Sequence, residues 1–237
     1  MKRLYFLFAT IATIAANALA VILPLNGIST KQLSDNLTTV LTPSGSTFAI
    51  WSVIYVGLII ISLAIAFDRY RISDSALKLY IVGSLTNISW LFVWHYKIMF
   101  FPGVLLVLLL IINIAIMYKL EGWVKHVYLI YTCWTFIASV INLTIVFQYD
   151  LGLNKILNWD PQVVAVLLLP VLTIIYVGLS KRFRSVVPYI VGIWAYYGIY
   201  QAQSGDIIRF GAMVHIFILT CILAVDIFTY FKEQKNQ

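Results

Sequence analysis

Residues 133–146 read CWTFIASVINLTIV, an apolar run that contains a single carboxamide, Asn142. The run belongs to a longer apolar window at residues 125–147, and about 20 mostly apolar residues suffice to cross the hydrocarbon core of a bilayer. A side-chain amide is costly in hydrocarbon unless it is hydrogen-bonded. We therefore predict a transmembrane helix whose asparagine faces a cavity that several helices build together.

The rest of the chain is similarly apolar. Of its 237 residues, 62% are hydrophobic and 11% are charged, and the mean hydropathy is +0.95. Soluble domains are about half apolar and about a quarter charged, so the composition indicates an integral membrane protein. The sequence predicts an all-α, polytopic membrane helix bundle of about eight transmembrane helices, although Pro188 and two glutamines dilute the seventh. The eight windows are residues 4–24, 46–67, 77–96, 100–118, 125–147, 161–179, 185–203 and 207–230.

The distribution of charge predicts the topology. If the spans alternate in direction, one side of the membrane receives both termini and twelve of the 16 basic residues. The positive-inside rule places that side, and therefore both termini, in the cytoplasm. We interpret the net charge of +7 as a topology signal, and we expect no nucleic-acid partner.

The first 20 residues leave two interpretations open. They fit a first transmembrane helix, which we favour, and they also fit a secretory signal peptide with Ala18-Leu19-Ala20 as a small-residue cleavage site. Both cysteines, Cys133 and Cys221, fall inside predicted spans, so we expect no disulfide.

Amide and aromatic side chains gather at one depth of the predicted bundle, at mid-depth or in the outer half. Spacing places Asn87 and Trp90 on one helical face and Trp134, Ala138 and Asn142 on another. These positions are the candidate site, and no metal or catalytic residue is assigned to it. The candidate site residues are Asn17, Trp51, Tyr55, Asn87, Trp90, Trp134, Ala138 and Asn142.

Two explanations compete for this layer. Any one asparagine is explained by an interhelical hydrogen bond, which contributes about 0.6–2 kcal/mol. The set favours a shared pocket, because large aromatic rings with a few polar groups are typical of small-molecule sites. Tryptophans at helix ends are normally interfacial anchors, but Trp51, Trp90 and Trp134 lie too deep for that. In the pocket interpretation the rings stack on an apolar ligand, and Asn87 and Asn142 orient its polar edge.

Three segments resemble the TspO/MBR family, which comprises the translocator protein and the tryptophan-rich sensory proteins. They are TPSGSTFAIWSVIY at 42–55, NISW at 87–90 and WTFIASVIN at 134–142. The second helix of that family carries Trp with Tyr four residues later, and the third carries Asn with Trp three residues later. The fifth carries Trp, then Ala at +4 and Asn at +8.

The resemblance covers about residues 1–149 and implies a five-helix bundle there, so we expect residues 150–237 to form a three-helix C-terminal membrane extension. It implies binding of tetrapyrroles, such as haem or porphyrin, and of other hydrophobic ligands between the helices, often in a homodimer. The family's proposed roles are sensing, transport or porphyrin breakdown. Residues 17–35 look like the longer bacterial members, which implies a bacterial cytoplasmic membrane.

Two positions depart from the family pattern. Ala49 stands where the family has a proline, and Val146 stands where it has a tryptophan that is implicated in porphyrin degradation. The resemblance therefore implies binding ahead of tetrapyrrole chemistry. No pair of histidines has metal-ligand spacing on one helix, although His95 and His215 are alternative candidates for ligating a haem iron.

The preferred function is a ligand-binding membrane protein that acts as a sensor, carrier or regulator, with its pocket open outward. One alternative is an intramembrane enzyme acting on a tetrapyrrole or lipid, which the scarcity of charged residues inside the spans disfavours. The other is a secondary transporter. That class often has inverted repeats, and we find no internal repeat in this sequence.

Overall fold

The computed structural model describes residues 2–23, 25–27, 33, 36–96, 100–152, 156, 158 and 160–235. In these ranges the chain is helical and has no β-strand, which confirms the all-α prediction. Each apolar window of the sequence corresponds to one helix. The helices are α1 (Lys2–Ile22), α2 (Ile50–Ala66), α3 (Asp74–His95), α4 (Phe100–Met117), α5 (Gly122–Ile145), α6 (Pro161–Phe183), α7 (Val187–Ala202) and α8 (Asp206–Lys235).

Seven helices in the described part of the chain are long and apolar enough to cross a membrane. The remaining one, α7, has 16 residues, and at a rise of 1.5 Å per residue it is about 24 Å long. That is shorter than the hydrocarbon core, which is about 30 Å thick. The weakest apolar window of the sequence thus forms the shortest helix.

Local sequence determines where α6 begins and ends. The Asp160 carboxylate accepts a hydrogen bond from the Gln162 N–H at 2.8 Å, and Pro161 occupies the first turn, where its missing N–H is not needed. At the other end Arg184 adopts a left-handed conformation with φ 49°, which is a common way to terminate a helix.

The chain divides into two compact units. The first comprises Met1–Thr39 and Phe48–Leu157, and the second comprises Val40–Thr47 and Asn158–Gln237. In the first unit the helices contact one another in the closed order α1, α2, α5, α4, α3 and back to α1. In the second unit α6, α7 and α8 each contact the other two. The predicted division into a TspO-like part ending at residue 149 and an extension stays a prediction.

All five helices of the first unit line one small cavity at its centre. The cavity has about 10 Å³ of room for the centre of a water molecule, which is close to the minimum that one water needs. The first unit is therefore packed nearly solid at this point. The lining residues are Thr13, Leu58, Tyr80, Gly83, Ser84, Asn113, Tyr128 and Tyr131.

Hydroxyl groups join the helices beside this cavity. The Thr10 Oγ1 on α1 lies 2.7 Å from both the Ser62 Oγ on α2 and the Tyr80 hydroxyl on α3. Between two other helices of the first unit, the Tyr128 hydroxyl of α5 donates to the Asn113 Oδ1 of α4 at 2.6 Å. Inside a membrane such groups have little water to bond with, so these contacts fix which helix faces meet.

Candidate functional site

Trp51 on α2 is the centre of an aromatic cluster in the first unit. Its ring stacks on Tyr55, one turn later, with the centroids 5.7 Å apart. Two rings of α5 meet it at steeper angles, Tyr131 at 6.0 Å and Trp134 at 6.5 Å. Phe48 packs edge-on against Trp134 at 6.2 Å. We call these five residues the aromatic cluster, and three of them were candidate site residues in the sequence.

Two asparagines and a tyrosine form a second group, which we call the carboxamide chain. The Asn17 Nδ2 donates to the Asn87 Oδ1 at 2.9 Å, and the Asn87 Nδ2 donates to the Tyr131 hydroxyl at 3.2 Å. Asn87 is fully buried. The chain therefore links α1, α3 and α5, and Tyr131 belongs both to this chain and to the aromatic cluster.

Tyr131 is the member that sequence reasoning missed. It lies three residues before Trp134, and that spacing places both rings on one face of α5. Nothing else in the sequence distinguishes Tyr131 from the other tyrosines of the chain, which has 15 in all. Its importance comes from contacts with α2 and α3, which local sequence does not encode.

Asn142 is bonded differently from Asn87. Its Nδ2 donates to the Ala138 carbonyl of its own helix at 3.0 Å, and its Oδ1 is buried without a hydrogen-bond partner among the described residues. The indole N–H of Trp134, two turns earlier on the same face, is likewise buried and unpaired within the described ranges. Each such group costs about 1–3 kcal/mol, so native structures contain few of them.

Trp90 lies on α3, one turn beyond Asn87, and stacks on Trp94 with the ring centroids 6.2 Å apart. Its indole N–H is also buried and has no partner in the described part of the chain. The structure places Trp90 in a pair of its own, and its role in a ligand site stays a prediction.

The aromatic cluster and Asn142 together have groups that can interact with a small molecule. Trp134 supplies an N–H donor, Asn142 supplies a carbonyl acceptor, and Trp51 and Tyr55 supply apolar ring faces. These groups can bind and orient a flat molecule.

A family model described as "TSPO-like protein" matches residues 3–228. The chain belongs to the TSPO-like family. The relation suggested by the Trp, Tyr and Asn motifs is thereby confirmed, and the match runs through all eight helices. No curated protein and no solved structure matches the chain significantly.

The structure shows what surrounds the two residues at which this TSPO-like chain departs from the family motifs, Val146 and Ala49. Val146 is buried. Its Cγ2 packs closely against Gly103 of α4, because a Cβ added at Gly103 would lie only 3.0 Å from that atom. A tryptophan at 146 would bring a larger side chain to this contact with α4. Ala49 is the last residue of the 3₁₀ turn Gly45–Ala49 and directly precedes α2, so α2 begins without the family's proline.

The two histidines of this TSPO-like chain that were candidates for haem ligation, His95 and His215, belong to different units. His95 in the first unit is fully buried, with its Nδ1 2.7 Å from the Leu91 carbonyl oxygen. His215 in the second unit bonds through its Nδ1 to the Thr173 hydroxyl at 2.9 Å. No group of three or more His, Cys, Asp or Glu side chains that could hold a metal ion occurs within the described ranges. Haem ligation by these histidines stays a prediction.

Proposed function

We propose that this TSPO-like membrane protein binds a flat, hydrophobic small molecule with a polar edge in its first unit, as a sensor, carrier or regulator. The observation that carries the proposal is the pair of unpaired, buried polar atoms on one face of α5, the Trp134 Nε1 and the Asn142 Oδ1. A ligand that accepts a hydrogen bond from one and donates to the other removes both desolvation costs. The rings of Trp51 and Tyr55 supply its stacking surface.

The ligand class that fits these groups is a planar ring system with both donors and acceptors at its rim, such as a porphyrin. A site for a drug-sized molecule has a volume of about 300–1,000 Å³, whereas the cavity at the centre of the unit has about 10 Å³ of room for the centre of a water molecule. The cavity at the centre of the unit is therefore too small to be the ligand site, and we infer that the ligand binds against the rings of the aromatic cluster instead.

The setting of the site is inferred from the charge pattern and the family. If the eight spans alternate in direction, twelve of the 16 basic residues fall on the side that receives both termini, which supports cytoplasmic termini. We place the protein in a bacterial cytoplasmic membrane with its pocket open to the outer side. A homodimer is a further expectation, which rests only on the family resemblance.

The proposal is tested by titrating the purified protein with protoporphyrin IX and with haemin, followed by absorbance and tryptophan fluorescence. We expect binding by the wild type and about a tenfold loss of affinity in Asn142→Leu, because one charge-neutral hydrogen bond is lost. Trp51→Leu loses the stacking surface and weakens binding similarly. Trp123→Leu is the control, because Trp123 is exposed at the start of α5. Equal affinities in all four proteins would remove the site assignment.

A further inference from the structure

Arg209 lies in the first turn of α8, which has 30 residues and is the longest helix of the second unit. At a rise of 1.5 Å per residue α8 is about 45 Å long, whereas the hydrocarbon core of a bilayer is about 30 Å thick. A helix of this length that is centred in the bilayer places its first turn at the level of the lipid headgroups. The Cα–Cβ bond of Arg209 is tilted in the same direction, because side chains lean toward the N-terminus of their helix.

A tyrosine of the neighbouring helix holds the guanidinium of Arg209. The Arg209 Cζ lies 4.8 Å from the centroid of the Tyr200 ring on α7, which is within the range of a cation–π contact. The ring covers one face of the guanidinium, and the N–H donors lie in the plane of the group. This planar fork of donors matches two oxygens of a phosphate or a carboxylate.

Arg209 has no acidic partner in the described part of the chain. Its Nε is buried and makes no hydrogen bond to a described residue. Asp206 lies one turn earlier on α8, but its side chain is exposed and does not pair with Arg209. The ion pair that the structure describes in this unit joins Lys181 to Asp226. Since an arginine stays charged at neutral pH, an anion from outside the chain would offset the cost of the buried, unpaired N–H.

An exposed apolar track continues from Arg209 along α8 toward the middle of the membrane. Met213 and Phe217 follow Arg209 at intervals of four residues, which places the three side chains on one side of the helix. Both apolar side chains are exposed in the structure. Acyl chains attached to a phosphate at Arg209 could lie along this track, whereas a free anion would make no use of it. The track therefore favours a phospholipid over a free phosphate.

We propose that Arg209 binds the phosphate of a phospholipid headgroup, while the acyl chains of that lipid lie along Met213 and Phe217. Tyr200 is the positioning residue, because its ring holds the guanidinium in place. The residues of this lipid site all belong to the second unit, and the site does not depend on the ligand of the first unit.

Three probes separate the headgroup from the acyl chains: dioctanoyl phosphatidylglycerol, dioctanoylglycerol, which lacks the phosphate, and inorganic phosphate. Native mass spectrometry of the full-length protein in detergent measures how much of each lipid stays bound. We expect the phosphatidylglycerol to bind about tenfold more tightly than dioctanoylglycerol. Equal binding of the two lipids would overturn the proposal. Displacement of the phosphatidylglycerol by an equal concentration of inorganic phosphate would also overturn it, because the acyl chains would then contribute nothing.

Variants of Arg209 test the phosphate contact. Arg209→Gln removes the charge, so we expect about tenfold lower affinity for dioctanoyl phosphatidylglycerol and unchanged affinity for dioctanoylglycerol. Arg209→Lys keeps the charge without the planar fork and should retain part of the affinity. The control is Arg184→Gln, which makes the same change of charge at an exposed residue that directly follows α6. Equal losses in Arg209→Gln and Arg184→Gln would refute a specific site.

Tyr200→Leu tests positioning. It removes the cation–π contact, and we expect about threefold lower affinity for dioctanoyl phosphatidylglycerol. In the Arg209→Gln background the same substitution should have no further effect. An equal loss in both backgrounds would show that Tyr200 does not act through Arg209. If Arg209→Gln does not fold, the comparison of the three probes on the wild type and on Arg209→Lys decides the proposal.

Discussion

The side-chain amide of Asn17 donates to the Oδ1 of Asn87 across 2.9 Å, and Asn87 in turn donates to the Tyr131 hydroxyl. These residues lie in helices long enough to cross a membrane, where water does not compete for polar groups. The carboxamide of Asn87 is therefore used in helix packing. The carboxamide of Asn142 is not used in this way, because its Oδ1 accepts no hydrogen bond from the described residues.

Asn87→Leu should destabilise the first unit. It removes two interhelical hydrogen bonds and leaves the Tyr131 hydroxyl without its donor. We expect a loss of about 1–3 kcal/mol in the free energy of unfolding. For a protein of this size each kcal/mol lowers the melting temperature by about 2–4 °C. Thermal unfolding in detergent measures the change, and an unaltered melting temperature would show that the carboxamide chain is not a structural link.

Asn142→Leu makes the same chemical change at another buried position and should have the opposite outcome. The variant loses one bond within its own helix but also removes a buried, unpaired oxygen, which costs about 1–3 kcal/mol. We expect the melting temperature to stay the same or to rise, while porphyrin affinity falls. If Asn142→Leu and Asn87→Leu lose stability equally, Asn142 is a packing residue and not a ligand-binding one.

The membrane bundle could be predicted from the sequence because hydropathy acts over whole windows. Eight apolar windows became eight helices, and the pair Asp160-Pro161 marked the start of α6 by capping chemistry that is local in the chain. The same local reasoning identified α7 as the weakest span, since proline and glutamine dilute it.

The site could be predicted only in part, because periodicity gives the face of a helix but not the helix that it meets. The spacing of Asn87 and Trp90 placed both on one face of α3, but it gave no indication of which helix that face meets. The bond between Asn17 and Asn87 joins residues 70 positions apart, and it depends on α1 packing against α3. Tyr131 was missed for the same reason: its partners lie on other helices.

Gly57→Ala tests how tightly α2 packs against α5. A Cβ at position 57 would lie 2.7 Å from the Val127 Cγ1, so we expect a loss of about 1–3 kcal/mol from overpacking. Val127→Ala in the same protein removes that methyl group and should recover part of the loss. The control is Gly178→Ala, which should stabilise its helix by about 0.5–1 kcal/mol. A Gly57→Ala protein that melts at the wild-type temperature would contradict the close approach of the two helices.

The hydrogen bonds around His215 in the second unit determine its tautomer. The Leu169 carbonyl can only accept, so the Tyr196 hydroxyl donates to it at 2.8 Å. The Thr173 hydroxyl, 2.8 Å from Tyr196, must then donate to the Tyr196 oxygen. The Thr173 oxygen is left to accept from the Nδ1 of His215 at 2.9 Å. Neutral His215 is therefore expected to carry its proton on Nδ1, which leaves the lone pair on Nε2.

Nitrogen NMR of the protein labelled with ¹⁵N-histidine distinguishes the two tautomers, because protonated and unprotonated ring nitrogens have different chemical shifts. We expect Nδ1 of His215 to be the protonated nitrogen, and we expect Thr173→Val to abolish this preference by removing the acceptor without changing the side-chain volume. His215→Ala assigns the signal. A neutral His215 protonated on Nε2 in the wild type would require Thr173 to donate to the histidine, which would break the relay to Tyr196 and Leu169 and refute this order of hydrogen bonds.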